Sequence, residues 1–303
     1  MKVKFGCNQR SVELDCHMQR RVIITIILLA TWGVSFGQQE ALGSGKLGMV
    51  SYTYRNSFQK SVPATLDSVR SLGIINMEFS NLFGQKATDI RKWLDERGMI
   101  CTSFGTSYED VMNKTAEVAA NARSLGATFV RVAWIPHEKQ VPFTIEDAKK
   151  AASDFNLVGK KLKDEYGLTF CYHNHGYEFV PFEGGTLFDY LVVATVPEYV
   201  SFELDILWAF HPGANPATLL LKYPNRFKLM HVKDLKMGVK GDFSGSTDPN
   251  NDVVLGTGQI DIREVLNAAT KSDIRYYYIE DESKNANRQV PESLKFLASI
   301  GLP

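Results

Sequence analysis

One pattern, met four times, constrains this chain more than any other: an amphipathic segment ends in a glycine and a short β-prone run follows at once. Ser71-Leu72-Gly73 leads into Ile74-Ile75-Asn76-Met77-Glu78-Phe79 and Glu96-Arg97-Gly98 into Met99-Ile100-Cys101-Thr102; Ser124-Leu125-Gly126 precedes the run at 127–134 and Glu165-Tyr166-Gly167 the run at 168–173. Glycine tolerates the positive φ of a helix C-terminus, and the runs behind it are too short and too rich in β-branched and aromatic residues to be helix. Further β-prone runs at 47–52, 200–205, 227–231 and 276–280 bring the expected strands to eight. Helical periodicity fills 62–72, 87–97, 110–125, 145–166, 186–194, 216–223, 262–269 and 291–300. Eight alternating units predict an α/β chain folded as one (β/α)8 TIM barrel. The competing fold, an open doubly wound sheet, more often carries a glycine-rich phosphate turn after its first strand; here Gly43-Ser44-Gly45 precedes that strand.

The barrel is expected to begin only after a leader. An apolar run at 22–30 follows Arg20-Arg21 and leads into Ser35-Phe36-Gly37, with small residues where a signal peptidase cuts before Gln38. The run through Phe36 is short of the roughly 20 residues a membrane-spanning helix needs. Residues 1–37 are therefore read as signal peptide and leader, with Met18 before Gln19-Arg20-Arg21 as the expected start, and residues 38–303 as the barrel. This reading makes the protein exported, with the periplasm as the expected site and no stable membrane insertion after cleavage. The 34 basic and 34 acidic residues, five and two of them in the leader, leave a slightly acidic domain and argue against a nucleic-acid partner. Beyond the leader the cysteines are Cys101 and Cys171, in separate strand-like runs, and they read as buried free thiols.

Barrel enzymes carry their reactive groups at the C-terminal ends of the strands. The expected fifth strand ends Tyr172-His173-Asn174-His175, the sixth Glu203-Leu204-Asp205, the seventh Met230-His231-Val232-Lys233-Asp234 and the eighth Ile279-Glu280-Asp281-Glu282; the second contributes Glu78. Alternation along a strand puts His173 with His175, Glu203 with Asp205, and His231 with Lys233 on common faces. Imidazoles and carboxylates gathered at one mouth are costly unless neutralised, and one divalent cation is the natural partner, with Mn²⁺, Zn²⁺, Co²⁺ or Fe²⁺ suiting mixed ligands better than Ca²⁺. The long polar stretch at 236–258, between the seventh strand and its helix, overhangs this mouth as a candidate lid.

Tyr172-His173-Asn174-His175-Gly176-Tyr177-Glu178-Phe179, Phe202-Glu203-Leu204-Asp205, His231-Val232-Lys233-Asp234, Gly256-Thr257-Gly258-Gln259-Ile260-Asp261 and Ile279-Glu280-Asp281-Glu282, in that order, resemble the xylose isomerase-like barrel superfamily in its sugar phosphate isomerase/epimerase branch. The resemblance implies a metal held from strands five to eight, usually by Glu, Asp, His and Glu. Asp205, His231 and Glu280 match by position, whereas His173 stands where the family commonly has Glu. Either His173 completes the set, or Glu178 or Glu203 supplies the missing oxygen. The family's chemistry is proton transfer next to a carbonyl. It implies Glu280 as ligand and base, His175 as a second acid/base and Lys233 as a stabiliser of an enolate oxygen. Glu78 and Glu178 are expected to hold hydroxyls, and Trp134 and Trp208 to stack on the sugar, although ordinary packing also accounts for the aromatics.

The expected substrate is a small carbohydrate. Export favours a keto-sugar or a 3-keto-glycoside over a sugar phosphate, processed by epimerisation or β-elimination. A homo-oligomer is compatible with this reading. The alternatives are a carbohydrate-binding barrel without catalysis, to which the His173 substitution lends weight, and an endonuclease IV-like phosphodiesterase, which needs three zincs and more histidines than the five beyond the leader.

Overall fold

The computed structural model describes Met1 and residues 45–138 and 141–301; the expected signal peptide and the Met18 start lie outside the described residues. Eight strands, β1 (Leu47–Val50), β2 (Asn76–Phe79), β3 (Ile100–Thr106), β4 (Phe129–Val132), β5 (Thr169–His173), β6 (Val200–Asp205), β7 (Phe227–Val232) and β8 (Tyr276–Ile279), close into a barrel in sequence order, with β8 returning to β1. Every pairing between barrel strands is parallel, as helical crossovers require. A small hairpin, Pro181–Phe182 with Gly185–Thr186, sits outside the barrel after β5.

The helices form where the sequence offers both caps and an apolar stripe. The longest, Ile145–Tyr166, starts at a Thr144–Asp147 capping box and ends at Gly167, whose φ of 69° meets the expectation for a C-terminal cap. Its buried residues, Ala148, Ala151, Ala152, Phe155, Val158 and Leu162, recur every three to four positions and face the sheet. Gly159 lies on the same stripe because a Cβ there would meet the Tyr199 carbonyl oxygen at 2.4 Å. Inside the barrel, Val50, Phe129, Cys171, Leu229 and Tyr278 pack together, and Cys101 and Cys171 are both buried free thiols.

Three departures from the expected boundaries have a clear physical cause. β1 stops at Val50 and the chain winds into a 3-10 turn, Ser51–Tyr54, where Ser51 Oγ accepts the Ser80 N–H at 2.8 Å and ties the turn to the end of β2. The helix expected over 110–125 is two, Tyr108–Asn113 and Thr115–Leu125, separated at Lys114, which has non-helical φ and ψ. The final helix, Ala286–Ile300, starts five residues before the expected Pro291. Its first turn is fixed by Gln289, whose Nε2 donates to the Asp252 carbonyl, to Asp281 Oδ2 and to Ser283 Oγ, contacts that outweigh proline's preference for a first turn.

The loop at 236–258 hangs from the end of β7 on one carboxylate. Asp234 Oδ1 accepts the N–H groups of Leu235 and Ile260, and Oδ2 those of Gly256 and Gly258 at 2.9 Å each, so both feet of the loop are tied to the same side chain. This explains the Gly256-Thr257-Gly258 signature: a Cβ on Gly258 would lie 2.3 Å from Asp234 Oδ1. Further out, Gly245 packs against Tyr177, the His175 carbonyl and Trp134, so the loop covers the side of the mouth above β4 and β5.

Candidate active site

The strand ends converge as the alternation argument requires. His173 aligns with Glu203 across β5 and β6, and Asp205 with His231 across β6 and β7. Asn174 locks the first pair of strands: its side-chain amide donates to the Asp205 carbonyl at 3.0 Å and accepts the Asp205 N–H at 2.9 Å. Asp205 Oδ1 caps the following short helix by accepting the Trp208 N–H. Its other oxygen, Oδ2, is buried without a hydrogen-bond partner. Around that oxygen stand His173 Nε2 at 3.7 Å, His231 Nδ1 at 3.8 Å and Lys233 Nζ at 4.0 Å. Glu280 Oε2 closes the group, 2.9 Å from His231 Nδ1 and 3.2 Å from Lys233 Nζ.

A second ionic layer lies behind the first. Glu78 Oε1 accepts from Arg131 Nη2 at 2.7 Å and pairs with His231 Nε2 at 2.9 Å, while Glu78 Oε2 accepts from Ser103 at 2.5 Å. Glu203 Oε2 lies 3.0 Å from His173 Nδ1, 3.3 Å from His231 Nε2 and 3.4 Å from Arg131 Nε. Lys233, 0 % exposed, reaches Glu282 Oε1 at 2.7 Å and Asp252 Oδ2 at 3.7 Å, and its ammonium lies over the Trp208 ring.

The charge states follow from this packing. Burial pushes His173 well down, reinforced by His231 and Arg131, so it is a neutral imidazole. Burial likewise lowers His175 to about 3, with Lys233 adding to the effect. For Lys233 burial acts downward, but the carboxylates of Asp252, Glu280, Glu282 and Asp205 outweigh it and hold the ammonium well above its usual range. Burial and the Glu280 charge raise Asp205 to about 6, against the pull of Lys233 and His231.

The structure thus brings His173, Asp205, His231, Glu280 and Lys233 together. His175 stands beside them, its ring centroid 5.9 Å from that of His173 and 4.7 Å from Trp208. Trp134, 41 % exposed, forms the outer rim against His175 and Tyr177. Two expected hydroxyl holders are placed elsewhere. Glu78 is fully buried and engaged with Arg131, His231 and Ser103, so it holds the second layer and does not face a substrate. Glu178 is also fully buried, under the turn after β5, where Oε1 accepts from the Tyr172 hydroxyl at 2.6 Å and the His175 N–H at 2.8 Å. β5 ends at His173, and Gly176 at φ 101° turns the chain that carries Glu178 away from the strand direction. Arg131 and Asp252 belong to the site and escaped the sequence reading. An arginine inside the apolar run Phe129-Val130-Arg131-Val132 is the signal that could have found the first; Asp252, one polar residue among many in its loop, offers none.

The family model described as xylose isomerase-like TIM barrel matches residues 66–300. The chain belongs to this family. A crystal structure of a sugar phosphate isomerase/epimerase from Parabacteroides distasonis superposes with a TM-score of 0.67 at 22% identity, covering 84% of this chain and 94% of that one. The IOLI protein, solved with a binding zinc atom, gives a TM-score of 0.66 at 15% identity over 84% of this chain and 95% of its own. Inosose dehydratase 2 of Bacillus cereus is 30% identical over 159 residues, 50% of this chain and 52% of that protein. The chain thus matches the curated relatives over about half of their length.

Within this xylose isomerase-like barrel, the donor set fits a metal ion. Ligand atoms about 2 Å from one ion stand roughly 3–4 Å apart. The separations around Asp205 Oδ2, 3.7 and 3.8 Å, are too long for hydrogen bonds and suit such sharing. Among the described residues the groups able to hold an ion are His173–Glu203–His231 and Asp205–His231–Glu280, which overlap at His231. The residues that would hold the ion are His173, Asp205, His231 and Glu280, since Glu203 Oε2 lies against His173 Nδ1 and His231 Nε2, the ring nitrogens turned away from Asp205.

Glu178 gives a pH-dependent prediction. Burial raises it from 4.5 to about 7, against the hydrogen bonds from Tyr172 and the backbone. The raised value makes the protonated form the native one: its contribution to stability is full below pH 4.5 and is lost as the pH climbs through 7. Glu178→Gln removes that loss, so the variant's unfolding free energy relative to wild type is expected to rise by about 3 kcal/mol between pH 4 and pH 8. Parallel urea titrations at the two pH values check this; a difference that does not change with pH refutes it.

Proposed function

We propose that the protein is a divalent-metal-dependent carbohydrate lyase of the isomerase/epimerase type, removing a proton next to the ketone of a keto-sugar, keto-polyol or 3-keto-glycoside and expelling the β-oxygen substituent. The observation that carries this reading is the buried, unpartnered Asp205 Oδ2 ringed by His173, His231, Lys233 and Glu280. The inosose dehydratase relatives support elimination as the outcome, and the leader read from the sequence supports an exported enzyme that meets unphosphorylated substrates.

Held by His173, Asp205, His231 and Glu280, a divalent ion would supply Lewis acidity toward a ketone oxygen and so acidify the neighbouring C–H. The Lys233 ammonium, beside the same carboxylates, offsets the negative charge that collects on the enolate oxygen. His175 presents a buried Nδ1 with no partner, its lone pair free because burial keeps the ring neutral, and is assigned the proton from carbon; burial lowers it to about 3, so it can hold that proton only while the negative charge developing on the enolate beside it raises its basicity. A nitrogen that holds a proton so weakly gives it up readily to the departing oxygen, so the same imidazole delivers it to the leaving water or alcohol. The C–H pair becomes the new C=C bond, the C–O bond breaks and an enone remains. Trp134 and the buried ring of Trp208 flank His175 and keep water from that exchange.

The test is to incubate the protein, loaded in turn with Mn²⁺, Co²⁺ and Zn²⁺, with an inosose and with a 3-keto-glucoside in D₂O. Deuterium entering at the carbon next to the ketone, together with enone or free aglycone, is the expected result. Metal uptake without exchange or release on either substrate overturns the catalytic reading in favour of a carbohydrate-binding barrel.

A further inference from the structure

Each of the two imidazoles at the site has a nitrogen turned away from Asp205 Oδ2, and both of these nitrogens meet one carboxylate oxygen. His173 Nδ1 lies 3.0 Å from Glu203 Oε2 and His231 Nε2 lies 3.3 Å from the same atom. The opposite nitrogens, His173 Nε2 and His231 Nδ1, are the ones that face Asp205 Oδ2, at 3.7 and 3.8 Å. An imidazole nitrogen can offer a lone pair to an ion only when the ring's proton sits on the other nitrogen, and an acceptor behind the ring is what fixes that tautomer and the ring plane. His231 has a second such acceptor in Glu78, at 2.9 Å, whereas for His173 Glu203 is the side chain behind Nδ1.

The barrel register shifts beside both acceptors: Met77 pairs with Cys101 but Glu78 with Ser103, and Phe202 with Phe227 but Glu203 with Leu229, so β3 and β7 each carry one extra residue, Thr102 and Lys228, next to the two residues whose carboxylates back the imidazoles. Such irregularities re-aim a side chain beside a functional site. Glu203 Oε2 sits in the layer behind the rings, 3.4 Å from Arg131 Nε, a place already held by a cation.

We infer that Glu203 is a positioning residue for the metal site: its Oε2, shared by His173 and His231, sets both rings so that their opposite nitrogens are presented beside Asp205. This rests on the metal-dependent reading proposed above and adds to it a residue that acts through two others. The experiment is Co²⁺ titration of the full chain, wild type, Glu203→Gln and Glu203→Leu, following the visible d–d band and competing the ion away with a chelator. The amide oxygen of Gln takes the place of Oε2 without its charge, and Leu removes the acceptor. Cobalt affinity is expected to fall about 10-fold in Glu203→Gln and up to about 100-fold in Glu203→Leu, the d–d band changing shape in Leu and returning towards wild type in Gln.

A purely structural role would lower the melting temperature and leave the affinity and band of the folded protein unchanged. Should Leu fail to fold, Gln decides: affinity within twofold of wild type overturns the inference. Complete loss of cobalt in Gln, with uptake retained in Asp205→Asn, overturns it in another way by making Glu203 a direct ligand. No cobalt band in wild type removes the underlying reading, and is distinguishable from both.

Discussion

Asp205→Asn is expected to reduce bound metal from about one ion per chain to none and to cut turnover on the order of 10³-fold, while leaving the fold intact. The two oxygens of Asp205 have separate tasks, which is why one substitution can separate binding from folding. Oδ1 caps the helix Ile206–Phe210 through the Trp208 N–H, and the amide oxygen of asparagine keeps that bond. Oδ2, buried among His173, His231 and Lys233, becomes an amide NH₂ that has no lone pair to offer an ion. Several kcal/mol of charge stabilisation at the reacting oxygen go with the ion, which sets the size of the kinetic loss.

The stability of the metal-free forms distinguishes this account from simple damage. Burial raises Asp205 to about 6, so its charge destabilises the metal-free wild type progressively as the pH rises through 6. A neutral Asn carries no such penalty. Metal-free Asp205→Asn should therefore melt at or above the temperature of metal-free wild type at pH 8, while elemental analysis finds it empty. A variant that melts well below wild type there, or one that retains stoichiometric metal, contradicts the assignment.

How far the sequence reaches is seen in where its rules stop applying. The glycine-terminated steps locate β2, β3, β4 and β5, because a cap at positive φ is a local requirement that tertiary packing cannot replace; Gly126 at φ 82° and Gly167 at φ 69° are such caps. The period-two rule likewise assembles His173, Asp205 and His231, which all lie within regular strand. It does not reach Glu178, which follows the end of β5 and was placed by the resemblance, and it does not resolve the depth at which Glu78 points, which depends on the register shift beside it. The sequence left Glu203 and His173 as competing ligands. Which lies nearer Asp205 is set by side-chain rotation and by Arg131 on β4, which stands 3.4 Å from Glu203 and 2.7 Å from Glu78 on β2, and neither is encoded in spacing. Asp252 enters the site only because the loop at 236–258 folds back to pair Leu235 with Asp252, a contact no local pattern announces.

Lys233→Met should destabilise the metal-free protein by about 3–5 kcal/mol, and the deficit should shrink when metal is added. Lys233 is 0 % exposed, and its ammonium stands 2.7 Å from Glu282, 3.2 Å from Glu280, 3.7 Å from Asp252 and 4.0 Å from Asp205. Methionine nearly matches the stem in volume, so packing on Trp208 is retained and the change is electrostatic: four carboxylates lose the cation they share. A dication beside Asp205 and Glu280 restores positive charge to two of them. Linkage then requires the reciprocal effect, that Lys233→Met binds Mn²⁺ or Zn²⁺ more tightly than wild type, since the lysine repels the incoming ion. Chemical denaturation with and without metal measures both halves of that statement. A deficit that stays the same on metal addition places the ion away from Asp205 and Glu280. Tighter metal binding accompanied by a large fall in turnover is the combination that assigns Lys233 to the enolate oxygen, because a residue that weakens metal binding yet speeds the reaction must act on the charge that develops in the substrate.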